Sequence, residues 1–528
     1  MKWLNSVFGR IGIGVRRFPV PAAWSFFLCL LFSYNTLVDG TAPWLYPLAE
    51  AGFGGLAFSL CLTLGSERSG RYPWAPLASL LLAGGLYVVY PSGWPLPYFL
   101  MNVAGLVLGF LLLGLFLLWE KDDGAHFFPA VLIAAGKSAG VAILFGISVS
   151  ICFAAFKELL FSFSFKWYAV VWYAALFLVG TPLFLGWLPS KREPAQLARL
   201  LRQLTMRLFL PVYMVLLAIL LCYVGKIAAV WELPVGQMNW FASLAVLGYA
   251  FFYFTLHGSA LPWRRRLFLW GAVLLIPIVA VQLVGIAIRL SAYGLTPARY
   301  ASLYCVAFGI CVLFVGAAGR SVRFLYPLAA VMVFVATLSP WNLIDLPARD
   351  QQYRMQTVME QSGMLQDGKI GTPRRPLTKE ETDRLVSGYR YFQYSAARSS
   401  DPYAGQIADA EVLSQLDRKA RDFGYIEIKM EGPVPIEGWK TLRPFHGVTK
   451  NGTFHMTLGE SPETETTVDM GDFWQTLYDG HKEGSSMQKA NITYDEGGRR
   501  FVFKRIHFGQ SSQGALPVIH AEGYLLEK

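Results

Sequence analysis

Long apolar stretches follow one another through the first 340 residues of the chain, separated by short polar segments. A bilayer core of about 30 Å requires roughly 20 apolar residues in a helix that rises 1.5 Å per residue. Eleven stretches satisfy this requirement, the third and the last being short: 18–37, 43–65, 73–90, 97–119, 128–156, 167–187, 208–231, 237–257, 267–289, 298–318 and 322–339. The pattern therefore predicts a mainly α, polytopic transmembrane helix bundle of about eleven spans.

After residue 340 the pattern changes to that of a water-soluble unit. Ala348–Met364 has the spacing of an amphipathic helix, and Thr378-Lys379-Glu380-Glu381 is a capping box that predicts a helix to Tyr394. A third helix is expected over Ile407–Phe423. Alternating segments then predict six strands and one short helix, Asp472–Tyr478, the strands being Tyr425–Met430, Gly452–Leu458, Thr464–Met470, Met487–Tyr494, Phe501–Phe508 and Ala515–Leu526. We expect a bundle over 1–340, an amphipathic helix and linker over 341–376, and a soluble α+β domain over 377–528.

Charge is distributed unequally between these regions. Residues 1–340 contain 23 Lys and Arg but 9 Asp and Glu, whereas residues 341–528 contain 23 and 26. Only 15% of the chain is charged, against roughly 25% in ordinary soluble domains. These values exclude a single soluble domain, a disordered protein and a simple secreted enzyme. Because the basic excess lies between apolar stretches, it indicates a lipid bilayer as partner and gives no support to nucleic-acid binding.

The basic residues also predict an orientation. If the N-terminus is cytoplasmic, the inner segments hold 17 Lys and Arg and the outer ends hold five. Cytoplasmic loops of membrane proteins collect Lys and Arg. An odd number of spans from an inner start then places the C-terminal domain outside the cytoplasm. We therefore expect a multi-pass protein of a bacterial inner membrane with an extracytoplasmic C-terminal domain.

Ionisable side chains deep within a span are costly and often functional, and Lys137 is the clearest case in this sequence. Lys137 lies in the fifth span, and Glu50 lies in the second span as its possible partner. A functional interpretation makes Lys137 a proton site, an anion site or a counter-charge for a substrate carboxylate. The structural alternative is an interhelical ion pair or an amine that reaches the membrane surface.

A second group of candidates lies at the predicted outer ends of the spans: Lys226, Arg289, Tyr293, Arg299 and Tyr300. These side chains could line an outward-facing vestibule that binds lipid phosphate, a sugar phosphate or the acidic external domain. The alternative is that they lie among lipid headgroups, as charges at span ends commonly do.

The sequence contains no catalytic constellation and predicts neither a cofactor nor a metal site. Phosphate-binding loops, dinucleotide fingerprints and HExxH motifs are absent from it. Five histidines lie in the C-terminal region, and a hairpin could bring His507 and His520 together, although the sequence alone leaves that open. An enzymatic role is therefore not favoured.

The stretch Tyr293-Gly294-Leu295-Thr296-Pro297-Ala298-Arg299-Tyr300 lies between two late spans. Together with the many spans and the polar segment after Pro340, it resembles a bacterial membrane family, domain of unknown function 4153, over about residues 130–370. The resemblance implies a turn at this stretch but no activity.

Three functions remain open. The first is a non-catalytic cell-envelope protein whose external domain binds a periplasmic partner or a lipid-linked ligand. The second is a transporter or flippase for an anionic or lipid-linked substrate. The third is a membrane transferase acting at the outer face.

Overall fold

A computed structural model of the chain provides the structure, which describes seventeen segments: 2–38, 42–69, 73–89, 95–119, 127–159, 164–189, 199–230, 238–257, 262–395, 405–407, 410–421, 426–429, 437–450, 453–458, 465–482, 492–508 and 519–528. Within them the chain forms two compact units, Met1–Gln351 and Gln352–Tyr394 with Ser400–Lys528. The first unit is helical and the second combines helices with an antiparallel sheet.

The first unit contains an N-terminal helix and eleven apolar helices, and a further helix begins at its end. In chain order these are α1 (Lys2–Arg17), α2 (Pro19–Leu37), α3 (Leu45–Ser69), α4 (Ala75–Val89), α5 (Leu96–Leu118), α6 (Phe127–Leu159), α7 (Lys166–Trp187), α8 (Leu201–Val230), α9 (Met238–Leu256), α10 (Arg264–Tyr293), α11 (Pro297–Ala317), α12 (Val322–Leu338) and α13 (Asp345–Gln361).

Nine of the described helices are long and apolar enough to cross a membrane: α2, α3 and α5 to α11. The third and eleventh predicted spans form the shorter apolar helices α4 and α12. Large apolar side chains cover the outward surfaces of the helices, as Val88 (82% exposed) and Phe314 (74% exposed) illustrate. A surface of this kind suits lipid and not water, so the chain is a multi-pass membrane protein.

The first helix packs directly on α7, which the sequence did not predict. A Cβ atom on Gly14 would lie 2.1 Å from the Pro182 carbonyl oxygen, and one on Gly186 would lie 2.2 Å from the Arg10 carbonyl oxygen. The two backbones therefore touch, as small residues permit in membrane bundles. At the end of α1, Arg17 forms hydrogen bonds of 2.5 and 3.0 Å with the Glu67 carboxylate.

A π-helical segment, Ala175–Gly180, interrupts α7 just before Pro182. In a π turn the amide of residue 182 would donate to the carbonyl of residue 177, but proline has no N–H group. The Ser25 hydroxyl donates to the Phe177 carbonyl instead, at 2.6 Å. Helix α2 thus satisfies the acceptor that proline leaves open, which joins α2 to α7.

The second unit contains helices α14 (Lys379–Tyr394), α15 (Glu411–Arg421) and α16 (Gly471–Lys482) and nine strands: β1 (Leu365–Gln366), β2 (Lys369–Ile370), β3 (Ile426–Lys429), β4 (Thr441–Lys450), β5 (Thr453–Leu458), β6 (Glu465–Val468), β7 (Thr493–Glu496), β8 (Arg499–Phe508) and β9 (Ile519–Glu527). Strands β1 and β2 pair with each other. The other seven form an antiparallel sheet in the order β3-β8-β9-β4-β5-β6, with β7 paired to β8.

One face of this sheet packs on α16. Trp474 of that helix is fully buried against Phe454 and Phe503, with ring centroids 5.3 and 5.1 Å away. Buried and exposed positions alternate along β4, β5 and the first half of β9, whereas Val502 and Leu526, on the face opposite α16, are also fully buried. The predicted α+β class is therefore confirmed.

Most of the local predictions for the second unit are confirmed, although β1, β2 and β4 were not predicted. The capping box is confirmed, since the Glu381 amide donates to Thr378 Oγ1 at 3.3 Å and the Thr378 amide donates to Glu381 at 2.9 Å. Arg375 also binds this carboxylate and holds the pKa of Glu381 down to about 2. Strand β4 was not predicted, because Pro444 and Gly447 interrupt its alternation. Most of the predicted strand Met487–Tyr494 lies outside the described residues.

Candidate functional site

The turn between α10 and α11 has a backbone conformation that only glycine adopts readily. Gly294 has φ +69° and ψ −173°, and its amide closes α10 by donating to the Leu290 carbonyl at 2.9 Å. Pro297 then begins α11 in the favoured first-turn position. The Arg299 guanidinium donates to the Gly294 carbonyl at 2.6 Å and lies 5.5 Å from the centre of the Tyr293 ring. Tyr293 and Arg299 thus belong to one compact turn.

Two side chains of α13 hold this turn through its backbone. The Leu295 amide donates to Asp350 Oδ2 at 2.6 Å. The Gln351 side-chain amide, in a residue that is 3% exposed, donates to the carbonyls of Tyr293 and Leu295 at 2.9 and 2.8 Å. Both residues satisfy polar backbone groups that the turn leaves unpaired, so the start of α13 is fixed beside the turn.

The segment between α12 and α13 joins the same contacts. The Tyr300 hydroxyl donates to the Trp341 carbonyl at 2.8 Å. Asn342, which is 5% exposed, accepts from the amides of Ile344 and Asp345 at 2.9 and 2.7 Å. A side-chain oxygen in this position satisfies amide donors at a helix start. Asn342 therefore stabilises the turn that leads from the last apolar helix into α13.

Helix α5 extends this set of contacts toward the interior of the bundle. The Tyr98 hydroxyl donates to the Asp345 carboxylate. One helical turn further on, Asn102 donates to Glu50 Oε1 at 3.3 Å, and Asn102 and Glu50 are 5% and 2% exposed. We call the turn, the segment from Trp341 to Gln351, and these three residues of α3 and α5 the polar end cluster.

Three predicted candidates lie outside the polar end cluster. Lys137 is exposed on α6, and its amine lies 5.8 Å from the centre of the Trp187 ring. Lys226 is exposed on α8, and Arg289 is half-buried on α10. Lys137 and Glu50 are not brought together, because Lys137 lies on the outer surface of α6 whereas Glu50 is buried between α3 and α5.

The sequence indicated four members of the cluster, Glu50, Tyr293, Arg299 and Tyr300. It assigned no contact to Tyr98, Asn102, Asp350 and Gln351, which bind the others. Their partners lie between 52 and 247 residues away along the chain. Only the packing of α3, α5 and α13 brings them together.

A second polar network connects α9, α10 and α11. Gln282, which is 2% exposed, donates to Asn239 Oδ1 at 2.9 Å and to Ser243 Oγ at 2.8 Å. Asn239 in turn donates to Ser302 at 2.8 Å. The members are all neutral, so this network stabilises helix packing without placing a charge within the bundle.

The polar end cluster contains three carboxylates, Glu50, Asp345 and Asp350, which accept hydrogen bonds. Asp350 and Asp345 accept from groups of this chain, which assigns them to positioning α13. Glu50 differs because it is a carboxylate inside the helix bundle that receives a bond from a neutral amide. It is therefore the member best placed to exchange a proton or to bind a cation.

Comparison with known proteins relates this arrangement to one family. A sequence profile of the family described as "Domain of unknown function (DUF4153)" matches residues 23–369. No curated protein and no solved structure matches the chain. The matched range begins within α2 and ends at the start of β2, so it includes the whole polar end cluster. It begins more than 100 residues before the range of about 130–370 over which the sequence resembled the family. The match covers well over half of the chain, which therefore belongs to the DUF4153 family.

Proposed function

We propose that the chain is a bacterial inner-membrane protein that crosses the membrane eleven times from a cytoplasmic N-terminus. Its C-terminal unit then lies in the periplasm and binds a periplasmic protein or a lipid-linked ligand. The observation that carries this proposal is the way the helix ends contact one another. The helix ends that contact one another form two sets. If the chain crosses the membrane eleven times, all the ends in one set lie on one side of the membrane and all the ends in the other set lie on the opposite side.

One set, which we call the basic end, contains Arg17, Arg320 and Arg323. Arg17 at the end of α1 donates to the Leu188 carbonyl at the end of α7, at 2.8 Å. Tyr253 near the end of α9 donates to the carbonyl of Arg320, just after α11, at 2.5 Å. Arg323 at the start of α12 lies 5.2 Å from the ring of Phe116 near the end of α5. The concentration of positive charge at this end supports a cytoplasmic location.

The contacts of the short helix α12 support the proposal that this helix crosses the whole membrane. Near its start, Tyr326 packs on Trp119 after the end of α5, with ring centroids 5.7 Å apart. In its middle, Phe334 packs on Phe110 at 5.1 Å. Beyond its end, Asp345 binds Tyr98 at the start of α5. A helix of about 25 Å thus runs antiparallel to α5 from the basic end to the polar end cluster.

The binding role rests on the second unit. One face of its sheet packs on α16, and the other face carries exposed polar side chains such as His446 and His520. A polar sheet face on a unit tethered to the membrane is suited to binding a partner that stays close to the bilayer. The contacts of Asp350 and Gln351 fix the start of α13, the helix that continues into the second unit.

Transport is the second candidate, and one observation favours it. Glu50 is 2% exposed within a helix long and apolar enough to cross a membrane, and buried carboxylates in such helices often mark ion pathways. In this alternative the bundle performs the function and the second unit regulates it.

Two kinds of variant separate these candidates in a strain that lacks the protein and shows a growth phenotype. A variant that ends after Gly371 lacks the seven-stranded sheet and its helices but retains every residue of the polar end cluster. We expect this variant to be inserted at normal abundance and to fail to rescue growth. We expect Glu50→Gln and Lys137→Met to rescue growth fully, because neither alters the sheet.

Immunoblotting of membranes gives the abundance of each variant, and Glu360→Gln, an exposed carboxylate on α13, is the matched control for Glu50→Gln. Rescue by the shortened chain would contradict a binding role of the second unit. Loss of rescue by Glu50→Gln at normal abundance would favour transport.

A further inference from the structure

Histidines concentrate on one face of the C-terminal sheet. Five of the seven histidines in the chain lie after residue 440, and four of these five lie on strands. His507 on β8 is the direct cross-strand partner of His520 on β9. His520 is in turn the partner of Val448 on β4, which pairs with His455 on β5. Direct partners in an antiparallel sheet project to the same face, so one row across four strands carries three histidines.

A fourth histidine lies next to this row on the same face. His446 lies two residues before Val448 on β4, and positions two apart on a strand share a face. His446 and His520 are exposed, whereas their neighbours Phe445 and Ala521 are buried on the side of α16. His446 and His520 therefore lie on the face of the sheet opposite α16.

We propose that His507 and His520 form a binding site for a divalent transition-metal ion. Directly opposite positions on antiparallel strands place Cβ atoms about 5 Å apart, which suits two imidazoles binding one ion. Imidazole is a ligand for Zn²⁺, Cu²⁺ and Ni²⁺, with Cu²⁺ bound most tightly. The remaining coordination positions of the ion can be filled by water, by His446 or by a molecule that binds to the second unit.

The described side chains include no group of three or more His, Cys, Asp or Glu residues placed to hold a metal, and the His507 side chain lies outside them. Strand register, which pairs His507 with His520, defines the site. Glu522, the partner of His446, is not counted as a ligand because its other cross-strand partner is Arg505. The proposal does not depend on the side of the membrane or on the growth phenotype.

Copper titration of the full-length protein in detergent, purified with a tag that contains no histidine, tests this site. We expect one Cu²⁺ per chain and an electron paramagnetic resonance spectrum with coupling to at least two imidazole nitrogens. His507→Ala and His520→Ala should each weaken binding at least about tenfold, because each removes one of two protein ligands. His481→Ala, on α16, is the matched control and should leave the affinity unchanged.

Circular dichroism checks that each variant keeps its sheet, and His520→Ala carries the test alone if His507→Ala alters the spectrum. An intact His520→Ala protein with unchanged copper affinity would overturn the proposal. So would an equal loss of affinity in His481→Ala, since binding would then be nonspecific.

Discussion

Replacing Gly294 with alanine is expected to destabilise the bundle by about 1–3 kcal/mol, because alanine must be forced into the φ +69°, ψ −173° conformation. The turn cannot relax without losing partners, since Asp350 and Gln351 bind the amide and carbonyls on either side of it. We expect the unfolding midpoint of the detergent-purified protein, followed by tryptophan fluorescence, to fall clearly.

Gly285 provides the matched control for this change. It lies on the same helix in a helical conformation, and a Cβ atom there meets nothing within 4 Å. Gly285→Ala should therefore leave the midpoint unchanged or raise it, because alanine is the better helix former. Equal midpoints for the two variants would show that the Gly294 conformation contributes nothing to stability.

Replacing Gly14 with alanine is expected to release α1 from α7. The added Cβ atom would lie 2.1 Å from the Pro182 carbonyl oxygen and 2.9 Å from the Gly186 amide nitrogen. Both are backbone atoms of a packed helix and cannot rotate away. The helix must then move off, and Arg17 loses its bonds to Glu67 and to the carbonyl after α7.

Trypsin cleavage after Arg17 reports this release, because cleavage requires the undocked state. We expect the rate in inside-out vesicles to rise at least about tenfold, equivalent to 1.4 kcal/mol of lost docking. Gly12→Ala, on the same helix with nothing within 4 Å of its Cβ position, should be cleaved at the wild-type rate. Equal cleavage of the two variants would contradict the close contact of α1 with α7.

The sequence predicted the apolar helices because membrane spans are local features of length and hydropathy. It also predicted the capping box at Thr378, which needs only four consecutive residues. It missed the docking of α1, because Gly14 and Gly186 are 172 residues apart and become meaningful only when the helices touch. It missed β4 because Pro444 and Gly447 disrupt the alternation that signals a strand.

The candidate site was predicted only where its residues form a motif. Tyr293, Arg299 and Tyr300 were found because they stand within eight residues of each other. The sequence did not reveal the contacts of Asp350 and Gln351, since these residues satisfy backbone groups of a turn more than 50 residues away. Lys137 was a candidate because a charge in a span is costly, and the structure places it on the outer surface of α6 beside Trp187, away from Glu50.

The register of the sheet resolves a question that sequence left open. Whether His507 and His520 meet depends on where the strands pair, and a shift of one residue would place them on opposite faces. The register pairs them directly.

The measurement that tests the account most directly is a pair of reporter fusions after Lys528. Alkaline phosphatase is active only outside the cytoplasm, whereas green fluorescent protein exported in unfolded form fluoresces only inside it. Eleven spans from a cytoplasmic start predict phosphatase activity without fluorescence. Fluorescence without phosphatase activity would contradict the account, because the second unit would then lie in the cytoplasm and α4 or α12 would not cross the membrane.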